Sequence, residues 1–338
     1  MKKLLAILIL VATIPCFSQS KVDSLVEKGI EHHDRGEYDK AIQIYNEALK
    51  IDPKSILVNY ELAMTYMYAG KNKEAIKHSN IVIKQNKDYL PPYIVKGSSL
   101  SNSGKVKKAI KLFKKSVEKF GDNYLLYYNL GISYYKILDF ENAEENFIKA
   151  IVDLPNHNSS HFILSNLKHQ QNERVQSLLG LYYFLLLEPS STRSTSAYYL
   201  LKEQLRGSVH KDEESPTNIN ILIDSSRMDS EFSPAEMLLA LLEASDSLDE
   251  NKVKTEDELF IEKTKNFFLT LGELKDDSKS SNIWWEYYVP FFYDLANSEY
   301  LDVFCYYISI SSNENAREWL SINSEKLEEF VKWVNNNL

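Results

Sequence analysis

Small and bulky positions in the first half of the chain recur with a period of 34 residues, through four copies without a gap. In register, Leu25, Asn59, Tyr93 and Tyr127 correspond, as do Gly29, Ala63, Gly97 and Gly131, and Ala41, Ala75, Ala109 and Ala143. Tyr45, Ser79, Phe113 and Phe147 form another column, Ala48, Val82, Ser116 and Ala150 a further one, and Pro53 and Pro155 close the first and fourth copies. This alternation predicts paired helices, which cross closely only where a side chain is small and need aromatic rings to fill the space on either side. Each pair leaves an apolar face uncovered, so successive copies must stack to form a continuous core.

A fifth, weaker copy stays in phase through Leu164, Ser165, Ser177, Leu181, Phe184 and Pro189, with Lys168 and Arg174 at places normally apolar or aromatic. The period and the columns resemble the tetratricopeptide repeat. The resemblance implies an all-α fold, a right-handed superhelix of helix-turn-helix repeats spanning 22–55, 56–89, 90–123 and 124–157, with a degenerate fifth repeat over 158–191. A helical C-terminal region over 192–338 is expected to follow, and its sequence resembles no named domain.

In that region, Ser190 to Ser196 reads as a separator and Gly207 to Thr217 as an exposed loop. Ile219 to Ile223 fits either a strand or a helix fragment. Ser233, Pro234 and Glu236 form one helix-starting capping box, and Thr255 with Glu258 another. Met237, Leu238, Leu241 and Leu242, then Leu259, Phe260, Phe267, Phe268 and Leu271, then Leu327, Phe330, Val331, Val334 and Leu338 recur at helical spacing. Between them lies the densest aromatic cluster, from Trp284 and Trp285 through Tyr287, Tyr288, Phe291, Phe292 and Tyr293 to Tyr300, Phe304, Tyr306 and Tyr307. Core packing or the binding of sugar rings would use it.

Residues 1–18 read as a secretion signal: Lys2 and Lys3, an apolar run from Leu4 to Ile14, then Pro15, Cys16 and Ser18, with cleavage after Ser18. The mature chain is expected in the periplasm or cell envelope of a bacterium, or secreted, with no transmembrane segment. Pro15 occupies the place where a lipidated Cys16 would want Gly or Ala, which disfavours a lipoprotein anchor. Cys305 then has no partner, and its stripe Leu301, Phe304, Cys305, Ile308 predicts a buried thiol.

The net charge of −9 conceals a division: 13 lysines against Glu74, Asp88 and Glu118 from Lys71 to Lys119, and an acidic stretch from Ser215 to Glu299. Lys107, Lys111, Lys114 and Lys115 share a helix face that would attract anionic lipid, a sugar polymer or an acidic protein, or simply keep the chain soluble. Nucleic acid is not expected as a partner of an exported protein.

By the resemblance, the first helix of each repeat lines a concave groove. The residues assigned to it are Leu57, Tyr60, Met64, Met67, Ile94, Leu125, Tyr128, Ile132, Tyr135 and Phe162, with Val26, Ile30, Ser98 and Ser101 at equivalent offsets. Such an apolar, aromatic surface suits a protein or peptide partner, or the chain's own C-terminal half folded back over it. The resemblance therefore implies a non-catalytic scaffold. An envelope-sugar binder using the aromatic cluster, or an enzyme with a site in the C-terminal half, are the other readings. The carboxylate clamp of chaperone-binding repeats is not expected, because Val26, Ile30 and Glu61 occupy its places. No phosphate loop, nucleophile elbow or metalloprotease helix occurs, and no cofactor or metal is expected: His157 and His161 lack a completing ligand, and the adjacent His32 and His33 face apart.

Overall fold

The structure, a computed structural model, describes residues 21–206, 209–211, 219–221, 231–245, 254–275 and 281–337. The leader with Cys16, most of the 207–217 segment, residues 222 and 223, and Leu338 lie outside the described residues. The chain divides into two compact units, one ending at Asp153 and one beginning at Leu154.

The first unit contains four helix pairs: α1 (21–34) with α2 (Tyr38–Ile51), α3 (Ile56–Tyr68) with α4 (Asn72–Gln85), α5 (Pro91–Asn102) with α6 (Val106–Phe120), and α7 (Tyr124–Tyr135) with α8 (Phe140–Asp153). The small-and-bulky columns meet as the sequence predicts. A Cβ on Gly131 would lie 2.7 Å from the Phe147 ring, and one on Gly29 or Gly97 would enter the ring of Tyr45 or Phe113. The second repeat solves the same crossing with Ala63 and Ser79, both buried. Short turns join the helices of each pair through a left-handed residue: Gly36, Gly70 and Gly104 at φ +74°, +72° and +78°, then Leu138 at +60°. The series continues at the same spacing with Asn172 at +59° in the second unit.

That unit comprises α9 (Asn158–Gln170), α10 (Arg174–Leu187), α11 (Thr192–Arg206), α12 (Ser233–Ser245), α13 (Glu256–Lys275), α14 (Val289–Asn297), α15 (Leu301–Ser309), α16 (Glu314–Ile322) and α17 (Ser324–Asn337). A π-helical turn, Trp284–Tyr288, leads into α14. Among the described residues the fold is helical apart from one short antiparallel strand pair, β1 (Val209–Lys211) with β2 (Ile219–Ile221), which settles the first part of the ambiguous apolar stretch as a strand. The Ser190–Ser196 separator is shorter than expected: α11 starts at Thr192, because Ser191 Oγ accepts from the Ser194 amide at 3.1 Å and caps it. The Thr255–Glu258 box forms in both directions, at 2.7 Å and 3.2 Å.

Helix α10 is the axis of this unit. Twelve of its fourteen residues are buried, so it has no solvent face at all. Tyr182 lies 4.8 Å from Phe268 and its hydroxyl meets Thr264 Oγ1 at 2.8 Å; Phe268 stacks on Phe292 at 4.4 Å, and Trp285 on Phe232 at 4.6 Å. The aromatic cluster is therefore core: Trp284, Trp285, Tyr288, Phe292 and Phe304 are buried. Those five rings offer no face to a sugar, while Tyr287, Tyr293, Tyr300, Tyr306 and Tyr307 of the same cluster are half-buried. Cys305 is also buried, which pushes its thiol upward.

Candidate functional site: the first-helix face of the repeats

Helices α3, α5 and α7 pack side by side within the first unit. Side chains two, five, nine and twelve places into each repeat share one face of these helices, because those offsets follow the helical period. Of the residues assigned to it, Leu57 is 48% exposed, while Tyr60, Met64, Met67, Ile94, Leu125, Tyr128, Ile132 and Tyr135 are all half-buried. Val26, at 4% exposure, and Ser101, at 5%, belong instead to the core. They share their offsets with half-buried Tyr60 and Met67, so place in the repeat does not by itself set exposure.

Phe162 is set in the second unit. It lies 4.7 Å from Phe184, under the guanidinium of Arg193 at 5.7 Å, so it serves packing there.

Polar groups punctuate the face. Tyr60 meets Tyr89 edge-on at 5.7 Å, Ser98 Oγ donates to Asn129 Oδ1 at 2.7 Å, and Lys136 Nζ donates to Asn102 Oδ1 at 2.8 Å. Burial pushes the Tyr60 phenol up to about 12 and raises Tyr89 as well. Glu61 is raised by burial and then by the nearby Asp34 charge, and Lys96 and Lys136 are lowered by burial. Lost hydration thus disfavours charge of either sign along this face, as on a surface suited to apolar contact. Tyr89, Asn129 and Lys136 are not among the residues that the repeat offsets assign to this face. An aromatic closing the second repeat pointed to the first of them; the other two have no signal beyond their offsets.

The histidines weighed as metal ligands are engaged in protein contacts. His32 bonds Glu37, His33 Nδ1 pairs with Thr65 Oγ1 at 2.8 Å, and His157 Nδ1 with Ser160 Oγ at 2.7 Å. His161 is buried, its Nε2–H donating to the Pro155 carbonyl at 2.8 Å and its Nδ1 accepting from Tyr288 at 2.6 Å. Among the described residues, no group of three or more His, Cys, Asp or Glu could hold a metal ion, and no helix is long and apolar enough to cross a membrane.

Residues 29–70, which include the first Gly–ring crossing and the first two left-handed turns, match the TPR repeat family model. The chain carries tetratricopeptide repeats. Among curated proteins it is similar to the BBSome complex member BBS4 of Bos taurus, 30% identical over 111 residues, 33% of this chain and 21% of that protein. The Mus musculus counterpart is 31% identical over 99 residues, covering 29% and 19%. The tetratricopeptide chain thus spans about a fifth of the length of these relatives. Of solved structures, it is similar to TTC0263, a thermophilic TPR protein of Thermus thermophilus, at 17% identity and a TM-score of 0.49, covering 54% of this chain and 98% of that one.

Proposed function

We propose that this protein is a non-catalytic scaffold that holds a segment of a partner protein along the first-helix face of α3, α5 and α7, in the bacterial periplasm or cell envelope after export by residues 1–18. The observation that carries the reading is the row of half-buried apolar and aromatic side chains at repeating offsets, with Leu57 48% exposed at its edge. A row of this kind gives an extended peptide or an amphipathic helix one contact per repeat. Tyr supplies area with a polar tip, and Met64 and Met67 adapt their shape to the guest. The curated relatives are named as members of the BBSome complex, and assembly with other proteins is the mode proposed here too.

Site-specific photocrosslinking tests this. A crosslinker at Met64 should capture a discrete envelope protein, and one at exposed Glu47, on the second helix of the first repeat, should not. Leu57→Asp in the Met64-labelled chain should abolish capture. Equal capture from both positions, or capture unaffected by Leu57→Asp in a normally folded chain, would refute the groove as the binding site.

A further inference from the structure

The second helices of the four repeats in the first unit present homologous solvent faces whose charges differ sharply. At the first exposed offset stand Asp39, Lys73, Lys107 and Glu141; one turn on stand Gln43, Lys77, Lys111 and Glu145; a further turn brings Glu47, Ile81, Lys115 and Lys149. The outer two helices mix signs, which is enough to keep a helix face soluble. On the middle two, lysines dominate, with Glu74 on α4 and Glu118, among the α6 lysines, as the exposed acids. On α6, Lys107, Lys108, Lys111, Lys114, Lys115 and Lys119 are all exposed, opposite the buried Ala109, Phe113 and Ser116. This stripe runs the length of a 15-residue helix, about 22 Å.

Little on the protein neutralises it. Lys119 reaches Asp88 at 3.1 Å and Lys114 lies 5.6 Å over the Tyr134 ring, whereas Lys107, Lys108, Lys111 and Lys115 make no ion pair among the described residues. Lys73, Lys77 and Lys84 on α4 make none either. Self-repulsion of this kind is unfavourable unless an anionic partner relieves it.

The residue type narrows the partner. No arginine occurs between Arg35 and Arg174, so the stripe lacks the planar fork that reads a fixed carboxylate or phosphate geometry. Lysines are hydrated point charges on flexible stems, matched to headgroups that move laterally beneath them. Six lysines on one amphipathic helix fall in the range that associates with anionic lipid.

We propose that the lysine face of α4 and α6 is a peripheral docking surface for an anionic lipid bilayer. It is separate from the first-helix face, so the two readings stand or fall independently. The full chain and its variants are sedimented with phosphatidylcholine vesicles with and without about 40 mol % phosphatidylglycerol, at low and high salt, any contribution of residues 1–20 being common to all. Partition should require the anionic lipid, fall steeply with salt, and weaken roughly fivefold per lysine in Lys107→Gln/Lys111→Gln/Lys115→Gln, about a hundredfold in all. The Glu141→Gln/Glu145→Gln variant of α8 should stay within about twofold of the parent, because it touches the homologous face but not the lysines. Partition equal on neutral vesicles, insensitive to salt, or unchanged in the triple variant overturns the proposal. So does tighter binding of soluble inorganic polyphosphate than of vesicles at matched phosphate, which would make the partner a soluble polyanion. The salt titration of the parent decides the matter even if the triple variant folds poorly.

Discussion

The two units use the same helix-pair motif to different ends. In the first, each helix keeps a solvent face: α6 buries only Ala109, Phe113 and Ser116 of its 15 residues, and its close contacts fall within its own repeat or the next. In the second, α10 is a repeat helix by sequence register, yet it is buried on all sides and meets Phe268 and Phe292, which are separated from it by 80 residues or more of chain. A stack of local contacts stores its stability as a sum of repeat and neighbour terms. A core closed by distant segments is lost all at once. The first unit should therefore be divisible and the second cooperative, and all four tryptophans, at 284, 285, 319 and 333, lie in the second and report on it alone.

The largest expected effect comes from emptying that distant core. Phe292 is fully buried among Phe268, Tyr182 and Phe304, and Phe292→Ala should cost about 4 kcal/mol. Tryptophan emission should shift to a markedly lower urea midpoint in a single step, with helical circular dichroism from the first unit surviving beyond it. Coincident loss of both signals would show that the units unfold as one.

Acid should separate them next. Burial pushes His161 down to about 3: the charged imidazolium loses its hydration, and the neighbouring His157 acts in the same direction. A folded pKa below the unfolded 6.5 means the unfolded chain binds the extra proton, so stability is complete above pH 6.5 and falls as pH drops towards 3. The loss is about 1.4 kcal/mol per pH unit in that window, or roughly 3 kcal/mol near pH 4.5. His78 in the first unit is also lowered by burial and acts in the same direction. The tryptophan-reported midpoint should flatten between pH 4.5 and 6.5 in His161→Gln; a midpoint as steep as the parent's would assign the acid sensitivity elsewhere.

A smaller effect tests the repeat-local packing of the first unit. Gly97→Ala forces a Cβ into the Phe113 ring and should destabilise by roughly 1.5 kcal/mol, overpacking exceeding the helix propensity gained. In a Phe113→Ser background, which reproduces the Ala63 and Ser79 pairing of the second repeat, the same substitution should cost nothing. Coupling near zero in that cycle would mean the two positions do not share one contact.

How much of this was legible follows from the range of the contacts. Gly29 with Tyr45, Gly97 with Phe113 and Gly131 with Phe147 are each 16 residues apart, inside one period, so the columns of the sequence carry the repeat fold. The offsets assigned to the groove hold mostly half-buried side chains, whereas Val26 and Ser101 at the same offsets are buried, a difference the period alone does not encode. Lys168 and Arg174 stood out as polar intrusions but gave no hint of their partners. Lys168 reaches Glu173 at 2.9 Å, and Arg174 Nε donates to the Gln204 carbonyl at 2.6 Å while its guanidinium faces Glu236 at 3.6 Å. The aromatic cluster was visible as composition, yet its place as the core depends on α10 meeting α13 and α14, a pairing across distant segments that no local pattern encodes.

The smallest expected effect concerns a local rule that one repeat breaks. Gly36, Gly70 and Gly104 occupy the left-handed turn, and at the equivalent place the fourth repeat has Leu138, at φ +60° and 73% exposed. A Cβ in that conformation crowds the following carbonyl, at a cost of about 1 kcal/mol. Little packing offsets it at that exposure. Leu138→Gly removes the strain but also enlarges the unfolded ensemble, so the net gain should stay near 1 kcal/mol or slightly below. Asn172→Gly, at the turn of the fifth repeat, should gain only a few tenths, because Asn tolerates the region. The first change should raise the midpoint read by circular dichroism and leave the tryptophan transition in place, whereas the second should act on the tryptophan transition. A Leu138→Gly chain less stable than the parent would show that the leucine makes a contact worth more than its strain, and would direct attention to the exposed pair Ile137 and Leu138 as a functional edge.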